Sequence, residues 1–334
     1  MFAVFGAGAI GCWVGGKLAA GGASVTLIGR PRVLDELDWG LVVSELDGPA
    51  RVSHPATSTE PSAAANADVV LVTVKSAQTA EAGATLAGVV RENAIVISLQ
   101  NGVRNVDVLR AALPGRRVLA GMVPWNVVRQ RAGHYHRGSS GTLMIEQDTG
   151  AAPFVDACRA ADLPVVLRTD MLAVQWAKLV MNLNNAINAL SGQPLATELA
   201  QRPYRRVLAA AQREALHVLA AANQPLARLT PVPPRLMPRL LELPDRVFAV
   251  LARRTIAIDP NARSSMWDDL EAKRPTEIDY LQGEVVALAR RLGREAPVNA
   301  KLVELVRAAE AGGRRDLTGA EMLAQAPSAT RSPR

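Results

Sequence analysis

Three groups of residues have types and spacings that could do chemistry. Gly6-Ala7-Gly8-Ala9-Ile10-Gly11 lies between a short apolar run and a helical stretch, the setting in which GxGxxG holds a dinucleotide. The first glycine permits the tight turn and the second lets a pyrophosphate reach the backbone. The third lets helix and strand pack closely, with the helix N-terminus facing the anion. A second group lies on a helix read from an Asp170 N-cap to Leu190. Gln175, Lys178, Asn182 and Asn185 recur there at spacings of three, four and three, which puts an ammonium and three amides on one face, opposite Trp176, Leu179, Leu183 and Ile187. Asn is a mediocre helix former, so Asn182, Asn184, Asn185 and Asn188 together favour hydrogen-bonding work over a merely solvated face. The third group is Ser264-Ser265-Met266 followed by Pro275-Thr276-Glu277-Ile278-Asp279-Tyr280. Pro275 and Thr276-x-x-Asp279 mark a helix start and Gly293 its stop. Glu277 then sits in a first turn, where by itself it reads as a dipole-complementing carboxylate.

The residues after the second strand decide which dinucleotide is held. An Asp or Glu there would bind the ribose 2′-hydroxyl of NAD, but the chain reads Leu27-Ile28-Gly29-Arg30-Pro31-Arg32. The Arg30 guanidinium can receive a 2′-phosphate, so the expected cofactor is NADP(H). Lys75 with Gln78, and Gln100-Asn101-Gly102, follow two further strands, at the edge where ligands of open α/β sheets bind.

The elements that must position these groups alternate in the first half between short β-rich runs and helices. Strands are expected near Phe2–Phe5, Val25–Ile28, Val69–Val74, Ile95–Leu99 and Val118–Met122, with helices around 11–21, 77–90 and 103–112. Residues 123–147, with Gly133 and Gly138-Ser139-Ser140-Gly141, read as antiparallel strands extending that sheet. Helical periodicity dominates from Asp170 to about Ala311, interrupted by Pro225, Pro231, Pro233, Pro234, Pro238 and Pro244, where short helices and loops are expected. The fold class is therefore α/β, an N-terminal Rossmann-type doubly wound sheet with a C-terminal all-helical domain. The expected boundaries are 1–169 for cofactor binding, 170–320 for substrate and catalysis, and 321–334 for a disordered tail.

Composition narrows the function classes. At 334 residues, 49 % hydrophobic and 21 % charged, the chain has the balance of a soluble globular protein of two domains. Apolar runs such as Val69–Val72 are too short for a bilayer, and no signal segment precedes the first strand, so the cytoplasm is the default location. Cys12 and Cys158 stand alone and read as small buried hydrophobes. His134 and His136 lack a third ligand, and no metal is expected. The net charge of +7 comes from dispersed arginines without interleaved aromatics, which argues against a nucleic-acid partner.

In order along nearly the whole chain, GAGAIG, Arg30, VKSAQ with Lys75 and Gln78, QNGV with Asn101, WAKLVMN with Lys178 and Asn182, SSM, and TEIDYLQG with Glu277 resemble the ketopantoate reductase (2-dehydropantoate 2-reductase) family. The resemblance implies NADPH-dependent reduction of a 2-keto acid to a 2-hydroxy acid, in a cleft between a Rossmann domain and a helical domain. It implies Lys178 as the general acid, Glu277 as acceptor of the substrate's distal hydroxyl, Asn101 and Asn182 as orienting groups, and Ser265 on the substrate carboxylate. Ala186 stands where the family carries a second helix Asn, for which Asn185 is the candidate substitute. Ala262 stands where another Asn is expected, with Asn261 one position early, and the 224–244 segment is longer than the family's. The alternatives are a related dehydrogenase acting on another 2-keto acid and a non-catalytic NADP(H)-binding sensor. A helical second domain can support a homodimer.

Overall fold

Short runs of Val, Ile and Leu, most of them buried on both faces, form the strands around which the N-terminal half is built. The computed structural model describes residues 1–46, 48–252 and 262–325, and the chain divides into two units, Met1–Leu172 and Ala173–Arg334.

The first unit begins β1 (Phe2–Phe5), α1 (Ala9–Ala20), β2 (Val25–Ile28), α2 (Pro31–Leu34), β3 (Leu41–Glu45), β4 (Arg51–Ser53), β5 (Ala56–Ser58) and β6 (Val69–Val72). It continues through α3 (Thr79–Ala87), β7 (Ile95–Ser98), α4 (Asn105–Ala112), β8 (Arg117–Met122), β9 (Val127–Arg131), β10 (His134–Arg137), β11 (Leu143–Glu146), α5 (Ala152–Ala160) and β12 (Val165–Arg168). Eight strands form one sheet in the order β12-β11-β8-β7-β6-β1-β2-β5, parallel throughout except where β11 runs antiparallel to β8. The chain leaves β1 towards β2 and returns to β6 on the other side, so the topological switch point lies between β1 and β6.

The hairpin β9–β10 corrects one expectation. It does not extend the large sheet, which β11 alone does from that region. It joins a separate four-stranded sheet, β4-β3-β10-β9, in which β10 runs parallel to β3. Trp13 on α1 explains the arrangement: it is fully buried, donates to the Ser44 carbonyl at 3.1 Å and meets Trp125 edge-on with ring centroids 5.5 Å apart. Lys17 and Arg137 both bond Glu45 beside it, so α1 seals the small sheet with paired charges as well as apolar surface. Cys12 and Cys158 are buried, and desolvation pushes both thiols up to about 12, which leaves them as inert packing groups.

The helix expected over 170–190 is two helices, α6 (Met171–Asn182) and α7 (Asn184–Ser191). Leu183 separates them as the N-cap of α7, and carbonyls on both sides of the break take side-chain hydrogen bonds, Val180 from Gln212 Nε2 at 3.2 Å and Leu183 from Gln282 Nε2 at 2.8 Å. The rest of the second unit is α8 (Leu195–Ala200), α9 (Arg202–Ala221), α10 (Met237–Leu241), α11 (Asp245–Ala252), α12 (Ser265–Glu271), α13 (Gln282–Arg291), α14 (Pro297–Glu310) and α15 (Gly319–Gln325). Fully buried Arg205 secures the proline-rich stretch by donating to the carbonyls of Leu199, Leu241 and Leu243 at 2.7–3.0 Å. Among the described residues no strand follows Arg168, and no helix is long and apolar enough to cross a membrane. Asn261 and residues 326–334 of the tail lie outside the described residues.

Candidate active site

The glycine loop after β1 has three distinct environments. Gly6 holds φ +116°, and a Cβ there would lie 2.7 Å from the Val74 nitrogen. A Cβ on Gly11 would collide with the Gly6 carbonyl and lie 2.6 Å from Thr73 Oγ1, which itself donates to that carbonyl at 2.6 Å. Gly8, by contrast, has no atom within 4 Å of its Cβ position. It begins α1 without any side-chain cap, so the first-turn amides around Ala9, Ile10 and Gly11 have no ladder partner and open onto that empty space. A dinucleotide pyrophosphate fits this loop: there is room over Gly8, a cradle of unpaired donors, and a helix dipole of the right sign. Ala7 is held by its amide on the Ile28 carbonyl at 3.0 Å, which ties the loop to the end of β2.

Arg30 lies two residues past the end of β2, exposed and extended at φ −75°, ψ 144°, and forms no ion pair among the described residues. No carboxylate occurs between Leu27 and Arg32 to select a 2′-hydroxyl.

Lys75 and Gln78 are exposed on a single 3₁₀ turn after β6, where the sequence reading extends the strand to Val74. Their positions are fixed by Gln100 together with Ser76, Thr79 and Asn105, which the sequence reading did not single out. Ser76 Oγ donates to the Asn101 carbonyl at 3.0 Å, and Asn105 Nδ2 donates to the same carbonyl at 2.5 Å. Thr79 Oγ1 donates to Asn105 Oδ1 at 2.8 Å, and Gln100 Nε2 bonds Thr79 Oγ1 at 2.7 Å and the Val74 carbonyl at 3.0 Å. The loops after β6 and β7 are thus one hydrogen-bonded piece that presents Lys75 and Asn101. The available signal was a set of short polar side chains immediately after two buried strands, where loop backbone must find partners.

In the second unit, Lys178 and Asn182 stand one turn apart on α6. Lys178 is half-buried, and desolvation lowers its pKa from 10.5 to about 8. Gln175 is buried one turn earlier. Asn185 lies beyond the break at Leu183, half-buried, with its carbonyl accepting from Ser264 Oγ at 3.1 Å, while Ala186 beside it is fully buried. Ser265 opens α12, and Ser264 caps that helix by accepting from the Trp267 amide at 3.1 Å.

Glu277 is buried at 8 % exposure, but not in the first turn of a helix. The Thr276-x-x-Asp279 capping pattern does not form: Thr276 Oγ1 accepts from the Ile278 amide at 3.3 Å, the Thr276 amide donates to Glu310 Oε1 at 2.7 Å, and Asp279 Oδ1 accepts from Arg307 Nη2 at 2.7 Å, beside a single 3₁₀ turn over Ile278–Tyr280 whose N-cap is Glu277. Leu281, at φ −115° and ψ −93°, then breaks the path, and the helix that ends before Gly293 begins only at Gln282. Through Gln282 and the Leu183 carbonyl the segment after Glu277 is fastened to the α6–α7 junction. Lys178, Asn182, Asn185, Ser265 and Glu277 therefore all sit on elements that meet around that junction or are bonded to it. Among the described residues no group of three or more His, Cys, Asp or Glu is arranged to hold a metal ion. His134 and His136 instead share Ser44 Oγ, each at 2.8 Å.

Residues 2–149 match the family model described as ketopantoate reductase PanE/ApbA, and residues 170–310 match the model of its C-terminal region. The chain is 32 % identical over 321 residues to a 2-dehydropantoate 2-reductase of Halobacterium salinarum, an alignment that covers 93 % of this chain and 99 % of that one. It is similar to the crystal structure of a PanE/ApbA family ketopantoate reductase from Ralstonia eutropha, with TM-score 0.79, 30 % identity, and coverage of 93 % and 98 %. The fold also matches a D-mandelate dehydrogenase in a ternary structure with NADH and anilino(oxo)acetate, at TM-score 0.78, 20 % identity, and coverage of 93 % and 98 %.

Proposed function

The chain belongs to the ketopantoate reductase family, and from that premise we propose that it reduces 2-dehydropantoate to the 2-hydroxy acid with NADPH as reductant. It is an oxidoreductase that uses a nicotinamide dinucleotide, whose bound form supplies the hydride. The observation that carries the rest is Lys178. Its pKa of about 8 keeps most of the ammonium protonated at neutral pH while making the proton easy to release, which is what a general acid requires.

In this reading Lys178 Nζ gives its proton to the carbonyl oxygen as charge develops there. Asn182, one turn on, holds the same end of the substrate by its amide. Ser265 donates to the substrate carboxylate, and buried Glu277 accepts from the distal hydroxyl, a contact that favours substrates bearing one. Asn185 contributes a further amide. Asn101 and Lys75 hold the nicotinamide half of the cofactor with Gln78, Arg30 takes the 2′-phosphate, and the Gly6–Gly11 loop takes the pyrophosphate. Positioning of this kind supplies much of the rate.

The experiment is loss of nicotinamide absorbance on mixing purified protein with 2-dehydropantoate, in parallel with NADPH and NADH. Turnover preferring NADPH is the expected result. No turnover with 2-dehydropantoate beside turnover of another 2-keto acid would move the assignment to a related dehydrogenase. Fully buried Ala186 beside Asn185, in place of a second helix amide, is the observation that favours this second reading.

A further inference from the structure

The catalytic reading leaves one buried acid unused. Glu198, on α8, is fully buried and forms no ion pair among the described residues. Its Oε2 accepts from Asn188 Nδ2 at 2.7 Å, and the same amide nitrogen donates to the Gln193 carbonyl at 2.9 Å. Asn188, itself fully buried, accepts the Ser264 amide on its Oδ1 at 2.8 Å. The stretch before α12 is fastened twice more, by the Leu195 amide on the Ala262 carbonyl at 2.8 Å and by Arg263 Nη1 on the Gly192 carbonyl at 2.6 Å. A path of two hydrogen bonds thus leads from the Glu198 carboxyl to the backbone of Ser264, one residue before Ser265.

The other side of the carboxyl shows which form it takes. Glu198 Oε1 is buried without a hydrogen-bond partner, while the side-chain amides of Asn188 and Asn184 both face the carboxyl and favour its ionised form. A carboxylate would still leave Oε1 a bare charged acceptor in a dry interior. Burial outweighs the two amides, so the carboxyl keeps its proton. The groups facing Glu198 are the amides of Asn184 and Asn188 from α7 and the Tyr204 hydroxyl from α9, none of them cationic, and burial pushes the acid up to about 8. A neutral acid also places no negative charge behind the residues that receive an anionic substrate.

We propose that Glu198 is a positioning residue, held as the neutral acid, that sets Ser265 for the substrate carboxylate through Asn188 and Ser264. The proposal rests on the reading of Ser265 as a substrate contact. Glu198→Gln keeps the shape, one acceptor and one donor, whereas Glu198→Ala removes both ends. In the full-length enzyme the Gln variant is expected to keep kcat, the KM for 2-dehydropantoate and NADPH affinity within about twofold. The Ala variant is expected to raise KM about tenfold or more, with kcat within about threefold and NADPH affinity unchanged. Above about pH 8 the KM of the parent enzyme should rise more steeply than that of the Gln variant, in which only Lys178 still titrates over that range.

Amide hydrogen exchange over residues 262–267 provides an arm independent of turnover, fast in the Ala variant and at the parent rate in the Gln variant. Equal loss in both variants, or unaltered KM and exchange in the Ala variant, overturns the proposal. If the Ala variant does not fold, an alkaline rise in KM that is equally steep in the parent and the Gln variant overturns the neutral acid. If the parent enzyme reduces no 2-keto acid, the reading of the site fails, while the exchange arm still decides whether Glu198 orders this segment.

Discussion

Replacing Lys178 with methionine separates what this residue costs the fold from what it does. Burial draws the Lys178 pKa from 10.5 to about 8. At about 1.36 kcal/mol per unit, that difference means the folded protein gives up as much as roughly 3 kcal/mol to keep a charge on α6. Below pH 8 the lysine is protonated in both the folded and the unfolded chain, so the full penalty is present. Between about pH 8 and 10.5 the folded lysine is neutral while the unfolded one still binds its proton, and the penalty fades. Lys178→Met keeps the length and apolar stem without the charge. It should therefore raise the melting temperature at pH 7 by several degrees, on the order of 2–4 °C per kcal/mol for a unit of this size. Calorimetric melting of both proteins from pH 6 to 10.5 should show the difference shrinking towards alkaline pH. Turnover should fall by about 10²–10⁴-fold, the usual contribution of a positioned acid. The parent kcat for reduction should fall as pH rises through about 8. A methionine variant no more stable than the parent at pH 7, or a difference independent of pH, would refute the desolvated ammonium. Near-normal kcat would refute the proton donor.

The glycine loop makes a paired prediction. Gly8→Ala meets no atom within 4 Å and should melt within about 0.5 kcal/mol of the parent while cofactor affinity, read by fluorescence titration, falls about tenfold or more. Gly11→Ala, forced against the Gly6 carbonyl and Thr73, should lose roughly 1–3 kcal/mol of stability. Intact cofactor affinity in Gly8→Ala would place the pyrophosphate elsewhere. Arg30→Ala should weaken NADPH roughly tenfold or more and leave NADH little changed, and equal loss of both would remove the 2′-phosphate contact. Glu277→Ala should raise KM mainly for keto acids carrying a distal hydroxyl, so an equal rise for one that lacks it would contradict that hydrogen bond.

Legibility followed the range of the interactions. The loop from Gly6 to Gly11 was readable because turn, close approach and helix start are decided by neighbours in sequence, and five strands of the large sheet were readable because each is a run of buried aliphatics. The small sheet was not. β3 pairs with β10 across some ninety residues, and its strands alternate buried positions such as Val43 and Tyr135 with Ser44, His134 and His136, a pattern equally at home on the edge of a larger sheet. Glu277 was found by resemblance, but its setting was missed because Thr276 and Asp279 take distant partners, Glu310 and Arg307 on α14, in place of the local capping pair, and no local spacing shows this.

The polar stripe on α6 and α7 shows how a correct local pattern can still misplace a residue. Its spacing is that of one helix, yet the helix divides at Leu183, between Asn182 and Asn185, where Gln212 and Gln282 from distant helices bond the Val180 and Leu183 carbonyls. The amides after the break then serve two ends. Asn188 is spent on Glu198 and Ser264, and the Asn185 carbonyl on Ser264 Oγ, so that part of the asparagine-rich stretch builds the support of α12. The concentration of Asn reflected hydrogen-bonding work, as its poor helix propensity suggests, but much of that work is internal. Lys178 and Asn182, before the break, keep the regular helix spacing, and there a one-turn separation read from sequence survives into the fold unchanged.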